Sequence, residues 1–166
     1  MIDKLLRHPE YIHVLINPLP IYGLALALIG LTIALFTRTR AAQVTTLVLV
    51  LVSAASAWPV YEMGQQGYDR VLAMSDDAGR AWLDEHQRRG EQLIYFFYAL
   101  AVVALVALIA PWRWPKSSIW LCAITLLLGV VVLGMSGYIA YAGGKIRHRE
   151  FRNEPPPASA TQDRQS

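Results

Sequence analysis

The chain has 166 residues, of which 55% are hydrophobic and only 16% are charged. Its apolar residues come in long blocks rather than with the period of a half-buried helix or strand, which excludes a soluble globular domain and predicts a membrane protein. The single cysteine, Cys122, excludes an internal disulfide.

A short interfacial helix over residues 9–16 is the first predicted element. Pro9 is tolerated in the first turn of a helix, where its missing N–H has no helical partner. Pro18 and Pro20 follow the helix and are predicted to break it before the first membrane span begins.

Four later blocks are long and apolar enough to cross a hydrocarbon core of about 30 Å. They contain no charged residue and no histidine, and their connectors predict an all-α polytopic membrane protein, an up-down bundle of four transmembrane helices. The predicted spans are residues 19–36, 43–61, 93–111 and 118–142.

The rest of the chain lies between and after these spans. Residues 76–90 predict a second interfacial helix, between spans two and three, with His86 on its apolar face. Residues 1–152 are expected to form a single domain, and the polar, proline-rich tail 153–166 is expected to be disordered.

An even number of spans places both termini and all four histidines on one side of the membrane. Four of the 15 Lys and Arg residues fall on the other side, which leaves eleven on the histidine side. This count predicts that the termini are cytoplasmic, whereas net charge favours the opposite orientation.

Two stripes of small residues predict close helix packing. A flat ligand such as haem or a quinone is the alternative reading of such a groove. The first span carries Gly23, Ala27, Gly30 and Ala34, and the fourth carries Gly134, Gly137, Tyr141, Gly144 and His148.

The histidines are the candidate functional residues. His13, His86 and His148 are predicted to point inward from three different segments, whereas His8 is expected to be a local, cap-like residue. Two facing imidazoles can hold a b-type haem, and three can hold zinc, copper or iron. Hydrogen bonds to helix ends or lipid phosphates explain each histidine equally well. The candidate cofactor-binding residues are therefore His8, His13, His86, His148 and Gly144, and the candidate metal ligands are His13, His86 and His148.

A His-Pro pair followed by a second histidine ahead of span one, together with AGGKIRHREF at residues 142–151, resembles a known family. These features are similar to those of the small bacterial four-span proteins grouped as domain of unknown function 2231. The resemblance implies four helices and a bacterial inner-membrane location, and it implies no activity. It singles out His8, His13, Gly143, Gly144 and His148.

Three functions follow as hypotheses: a haem-binding electron-transfer module, a non-catalytic accessory subunit of a larger membrane complex, and a transition-metal-binding membrane protein. The chain carries no familiar catalytic motif, so we expect that it is not an enzyme by itself. The expected partners are the lipid bilayer and other membrane subunits. Nucleic acid is not expected, because the basic residues adjoin the spans, where lipid phosphates explain them.

Overall fold

A computed structural model describes residues 7–157, and within that range the chain is all-helical. A π-helical turn, Leu19–Gly23, links the first two helices, and short 3₁₀ turns lie at Ala110–Trp112, Pro115–Ser117 and Arg149–Phe151. The α-helices are α1 (Pro9–Ile16), α2 (Leu24–Thr37), α3 (Arg40–Ala55), α4 (Ala57–Ala73), α5 (Asp77–Ile109) and α6 (Ser118–Arg147).

Four helical stretches are long and apolar enough to cross a membrane, which is consistent with a multi-pass membrane protein. With 33 residues, α5 is about 50 Å long at 1.5 Å per residue, longer than the roughly 30 Å of a hydrocarbon core. The helix is therefore longer than the crossing of one apolar layer requires. The four stretches are Pro9–Thr37, Arg40–Ala73, Asp77–Trp112 and Pro115–Arg147.

The predicted helix Pro9–Ile16 is present, but the predicted break after it is wrong. Asn17 and Pro18 both keep right-handed helical backbone angles, and the chain passes through the π-helical turn directly into α2. A π-helical turn is wider than an α-helical turn and accommodates prolines, which have no backbone N–H to donate. The prolines therefore distort the helix without ending it.

The predicted helix over residues 76–90 is also not separate. It forms the first half of α5 and continues without interruption into the third apolar stretch. Asp76 caps its start, and its side chain accepts a hydrogen bond from the Gly79 N–H at 2.8 Å. No proline follows until Pro111, so the amphipathic and apolar halves continue as one helix.

The small-residue stripe of α2 packs as predicted. A Cβ atom on Gly23 would lie 2.9 Å from Ser53 Oγ, and one on Gly30 would lie 2.9 Å from Thr46 Cγ2. Ala27 and Ala34 of the same stripe are buried. The missing side chains therefore let α2 approach α3 closely.

The stripe predicted on α6 is wrong, because it lies on the outer face of the helix. A Cβ atom on Gly134 or Gly137 would meet nothing within 4 Å, whereas one on Gly129 would lie 2.5 Å from Leu28 Cδ2. Gly129, Val132 and Ser136 instead belong to the buried face. Spacing alone identified a small-residue face but could not determine which face was covered.

The core lies where α2, α3, α5 and α6 pack together. Several of its side chains are fully buried, and Arg40 of α3 reaches across to α5 and α6 at the connector end. Arg40 donates hydrogen bonds to the Leu108 carbonyl at 2.9 Å and to Ser118 Oγ at 3.0 Å. The fully buried core residues include Leu24, Leu31, Leu47, Val50, Leu100 and Val132.

The C-terminal segment, residues 148–157, folds back onto the start of α5. Arg152 donates hydrogen bonds to Asp76 at 3.0 Å and to the carbonyls of Lys145 and Ile146 at the end of α6. Glu154 pairs with the buried Lys145. Residues 153–157 of the tail are described, and the predicted disorder of residues 158–166 concerns residues outside the described range.

We expect the link between Asp76 and the C-terminal segment to weaken in acid. The hydrogen bond from Arg152 and then the Gly79 N–H lower the pKa of Asp76 from 3.8 to about 2. A depressed carboxyl pKa stabilises the folded state above the unfolded value, and the effect is lost as pH falls from about 4 through about 2. Asp76→Asn should therefore lower the melting temperature at pH 5 and should have little effect near pH 2.

The control is Asp77→Asn, since the Asp77 side chain is fully exposed. Its melting temperature should follow that of the unmodified chain at both pH values. A deficit for Asp76→Asn that is equally large at pH 5 and pH 2 would contradict the assignment of this link to an ionised Asp76.

Candidate functional site

A cavity of about 620 Å³ separates two helix pairs at the histidine-bearing end of the molecule. One wall is formed by α1 and α4, which pack together, and the other by α5 and α6. This volume falls within the range of about 300–1,000 Å³ that is usual for cofactor and ligand sites. His13 lies on the first wall and His86 on the second.

Each of these two histidines is held by a backbone carbonyl of the helix beside it. His13 Nδ1 of α1 lies 2.7 Å from the Val60 carbonyl oxygen of α4. His86 Nδ1 of α5 lies 2.9 Å from the Ile139 carbonyl oxygen of α6. A carbonyl only accepts hydrogen bonds, so both Nδ1 atoms donate a proton. In the neutral form of each ring, Nε2 then carries a free lone pair, and neither Nε2 has a hydrogen-bond partner among residues 7–157.

A glycine makes room for each imidazole at the same offset from the accepting carbonyl. Gly64 follows Val60 by four residues, and a Cβ there would lie 3.0 Å from His13 Nδ1. Gly143 follows Ile139 by four residues, and a Cβ there would lie 3.0 Å from His86 Cε1. Side chains in a helix point toward its N-terminus, so a residue at this position normally covers that carbonyl. The same local arrangement thus occurs on both walls.

The separation of the two imidazoles matches that of ligands on opposite sides of one metal ion. A metal lies about 2.0–2.1 Å from an imidazole nitrogen, and the ring centre about 1.1 Å behind it, so two such rings are about 6.3 Å apart. The centroids of His13 and His86 are 6.2 Å apart, and the ring planes are at 89°. The centroid separation of the two rings is therefore that expected for two imidazoles that bind one metal.

The other predicted site residues do not join this pair. The His148 side chain is exposed, and its Nδ1 lies 2.9 Å from Glu150 Oε1. The ring packs beside Phe151, 5.1 Å between centroids, so the residue reaches only the edge of the cavity. Gly144 lines the cavity without touching either imidazole, since Phe151 is the one neighbour a Cβ there would meet.

His8 occupies the N-cap position of α1, as expected of a local structural residue, although its side chain makes no capping hydrogen bond. Its Nδ1 contacts Arg70 and lies 3.9 Å from Glu10. Across the described residues, no three metal-ligating side chains come together, so the expected convergence of His13, His86 and His148 is not formed. The transition-metal hypothesis thereby loses its third protein ligand.

Glu10, Arg70 and Arg147 are the carboxylate and basic residues among the described residues that line the cavity, and we call the part of the cavity beside them the mouth. Glu10 and Arg70 line one side, with Glu10 Oε1 2.9 Å from Arg70 Nε. Both carboxylate oxygens of Glu10 are buried and accept no well-directed hydrogen bond, so the pair is held by charge rather than by hydrogen-bond geometry. Arg147, at the end of α6, lines the opposite side.

Sequence reasoning missed several residues of this site. The sequence did not predict Gly64, Glu10 or Arg147 as site residues. Gly143 was singled out only by the family resemblance. The repeated spacing of an apolar residue and a glycine four positions later, Val60 to Gly64 and Ile139 to Gly143, was a visible signal. Nothing in the sequence, however, relates those helices to His13 and His86.

No family model, curated protein or solved structure matches this chain. The resemblance to the four-span family therefore stays an expectation, and the site is interpreted from its own geometry.

Proposed function

We propose that the chain is a membrane protein of the bacterial inner membrane that binds one b-type haem between His13 and His86 and serves as an electron-transfer module. The observation that carries this proposal is the pair of imidazoles 6.2 Å apart, each with its Nδ1 proton held by a carbonyl. Haem when bound supplies a one-electron couple at the cavity between the two helix pairs.

The hydrogen bonds to Val60 and Ile139 support a ligand role for both histidines. Metal-binding histidines usually donate their second ring N–H to a carbonyl, a carboxylate or water. Such a bond fixes the neutral tautomer and the orientation of the ring, and it makes the free nitrogen more basic. For both His13 and His86 the acceptor is a backbone carbonyl rather than an acidic side chain, which suits a site within apolar helices.

The residues that line the cavity favour a large and mostly apolar ligand. The inner part of the cavity is lined by Pro20, Ala57, Ile94 and Phe97, and three of these, Ala57, Ile94 and Phe97, belong to the buried core. The charged side chains lie at the mouth. A porphyrin has an apolar body and two carboxylates on one edge, so its chemistry matches this distribution.

Electron transfer is favoured over catalysis because His13 and His86 would both hold the haem iron, which would leave no position open for a substrate. Haem enzymes that activate oxygen or peroxide use one axial protein ligand and keep the other side open. In this chain the two walls of the cavity each supply one imidazole. We therefore propose transfer of single electrons rather than chemistry on a bound substrate.

The test is the absorption spectrum of the purified full chain supplied with ferric haem. We expect the spectrum of a six-coordinate, low-spin haem with two histidine ligands, and sharp visible bands after reduction by dithionite. His13→Gly or His86→Gly should abolish the six-coordinate form, and added imidazole should restore it by occupying the vacated space. Rescue separates loss of a ligand from misfolding.

The controls are His8→Gly and His148→Gly, which remove the two candidate histidines that the structure leaves outside the pair. Both variants should keep the unmodified spectrum. A chain that takes up no haem, or a double His13→Gly, His86→Gly variant with an unchanged spectrum, would refute the proposal.

A further inference from the structure

Charged side chains are distributed unevenly between the two sides of the mouth. On the side of α1 and α4, Arg70 is neutralised by Glu10 at 2.9 Å, and the buried Glu10 carboxylate faces the same cavity. On the side of α6, Arg147 brings a positive charge with no acidic residue beside it. A negatively charged group in the mouth is therefore attracted to Arg147 on α6 and gains no such attraction from the neutral Glu10–Arg70 pair.

Arg147 also differs from the other basic residues around the end of α6. Lys145 is paired with Glu154, and both Arg149 and Arg152 are paired with Asp76. Arg147 is exposed, and its guanidinium forms no hydrogen bond or ion pair with any residue in the described range 7–157. Among these four basic residues, Arg147 is also the one that lines the cavity.

We propose that Arg147 binds a carboxylate of the porphyrin and so orients the ligand with its acidic edge toward the end of α6. This inference rests on the proposed haem site. A guanidinium offers a planar pair of N–H donors that matches the two oxygens of a carboxylate, which is why arginine is suited to this role. The reversed orientation gains no such contact, because Arg70 on the opposite side is already paired with Glu10.

The experiment compares two ligands that differ only at the two carboxyl groups: ferric protoporphyrin IX, in which both are free, and its dimethyl ester, in which both are methylated and uncharged. Both are titrated into the full chain in detergent, and binding is followed by absorption. We expect the unmodified chain to bind the diacid about tenfold more tightly than the diester, as one charge-assisted hydrogen bond at an exposed site allows. In Arg147→Gln that preference should vanish, with the affinity for the diester unchanged.

Arg149→Gln is the matched control. It removes the same charge two residues away, from a side chain that is paired with Asp76 and does not line the cavity. This variant should keep the preference for the diacid. If it loses the preference as fully as Arg147→Gln does, the effect comes from the overall charge of the basic run and the proposal is wrong.

The remaining outcomes separate this inference from the proposed function. Equal affinity of the unmodified chain for diacid and diester overturns the role of Arg147 and leaves the two-histidine site standing. An equal loss of both affinities in Arg147→Gln shows a structural effect and also overturns it. If neither ligand binds the unmodified chain, the proposed haem site fails and this inference fails with it.

Discussion

Replacing Gly143 with leucine is expected to lower the affinity of the full chain for ferric haem by about tenfold to a hundredfold, the usual effect of losing a partner that orients a metal ligand. Even a Cβ at this position would lie 3.0 Å from His86 Cε1 and 3.1 Å from Nδ1. A larger side chain must displace the imidazole from the Ile139 carbonyl. Haem titration followed by absorption measures the loss.

Gly137→Leu is the control for this prediction, because Gly137 lies on the same helix and a Cβ there would meet nothing within 4 Å. It adds the same side chain to the outer face of α6 and should leave haem affinity and the visible spectrum unchanged. Equal behaviour of the two variants would show that the space beside His86 does not matter for the ligand.

The second large effect is expected for Gly67→Leu, which acts through the backbone of α1. A Cβ on Gly67 would lie 3.0 Å from the N, Cα and Cβ atoms of Glu10. A change of side-chain rotamer cannot relieve a contact with backbone, so α1 must move away from α4. We expect a loss of about 1–3 kcal/mol in the free energy of unfolding, as for other overpacked sites. His13 would move with α1, and the haem spectrum should change from six-coordinate to five-coordinate.

Thermal unfolding and the visible spectrum of the reduced protein measure these two effects. Gln66→Leu, at the exposed neighbouring position of α4, carries the same side chain and should behave like the unmodified chain. If Gly67→Leu kept both the melting temperature and the six-coordinate spectrum, the close approach of α1 to α4 would not be what positions His13.

The site could be predicted only in part from the sequence. The inward orientation of His13 and His86 was predictable, because each lies on the apolar face of its own helix. The prediction that His148 joins these two histidines was not supported. It rested on the small-residue stripe of α6, whose last member is His148, and this stripe lies on the outer face of the helix. Periodicity along one helix cannot determine which of its faces another helix covers.

The sequence by itself determined that this chain is helical, that four of its segments are long and apolar enough to cross a membrane, and where α1 begins. These properties follow from composition, length and proline positions, which act locally. Only the tertiary structure decided that His13 and His86 form the pair. Their imidazoles contact the carbonyls of Val60 and Ile139, which lie 47 and 53 residues away along the chain. The glycines beside these carbonyls leave space for the rings, which matters only because another helix packs there. Such contacts depend on how the helices pack, because the distance along the chain does not fix the distance in space.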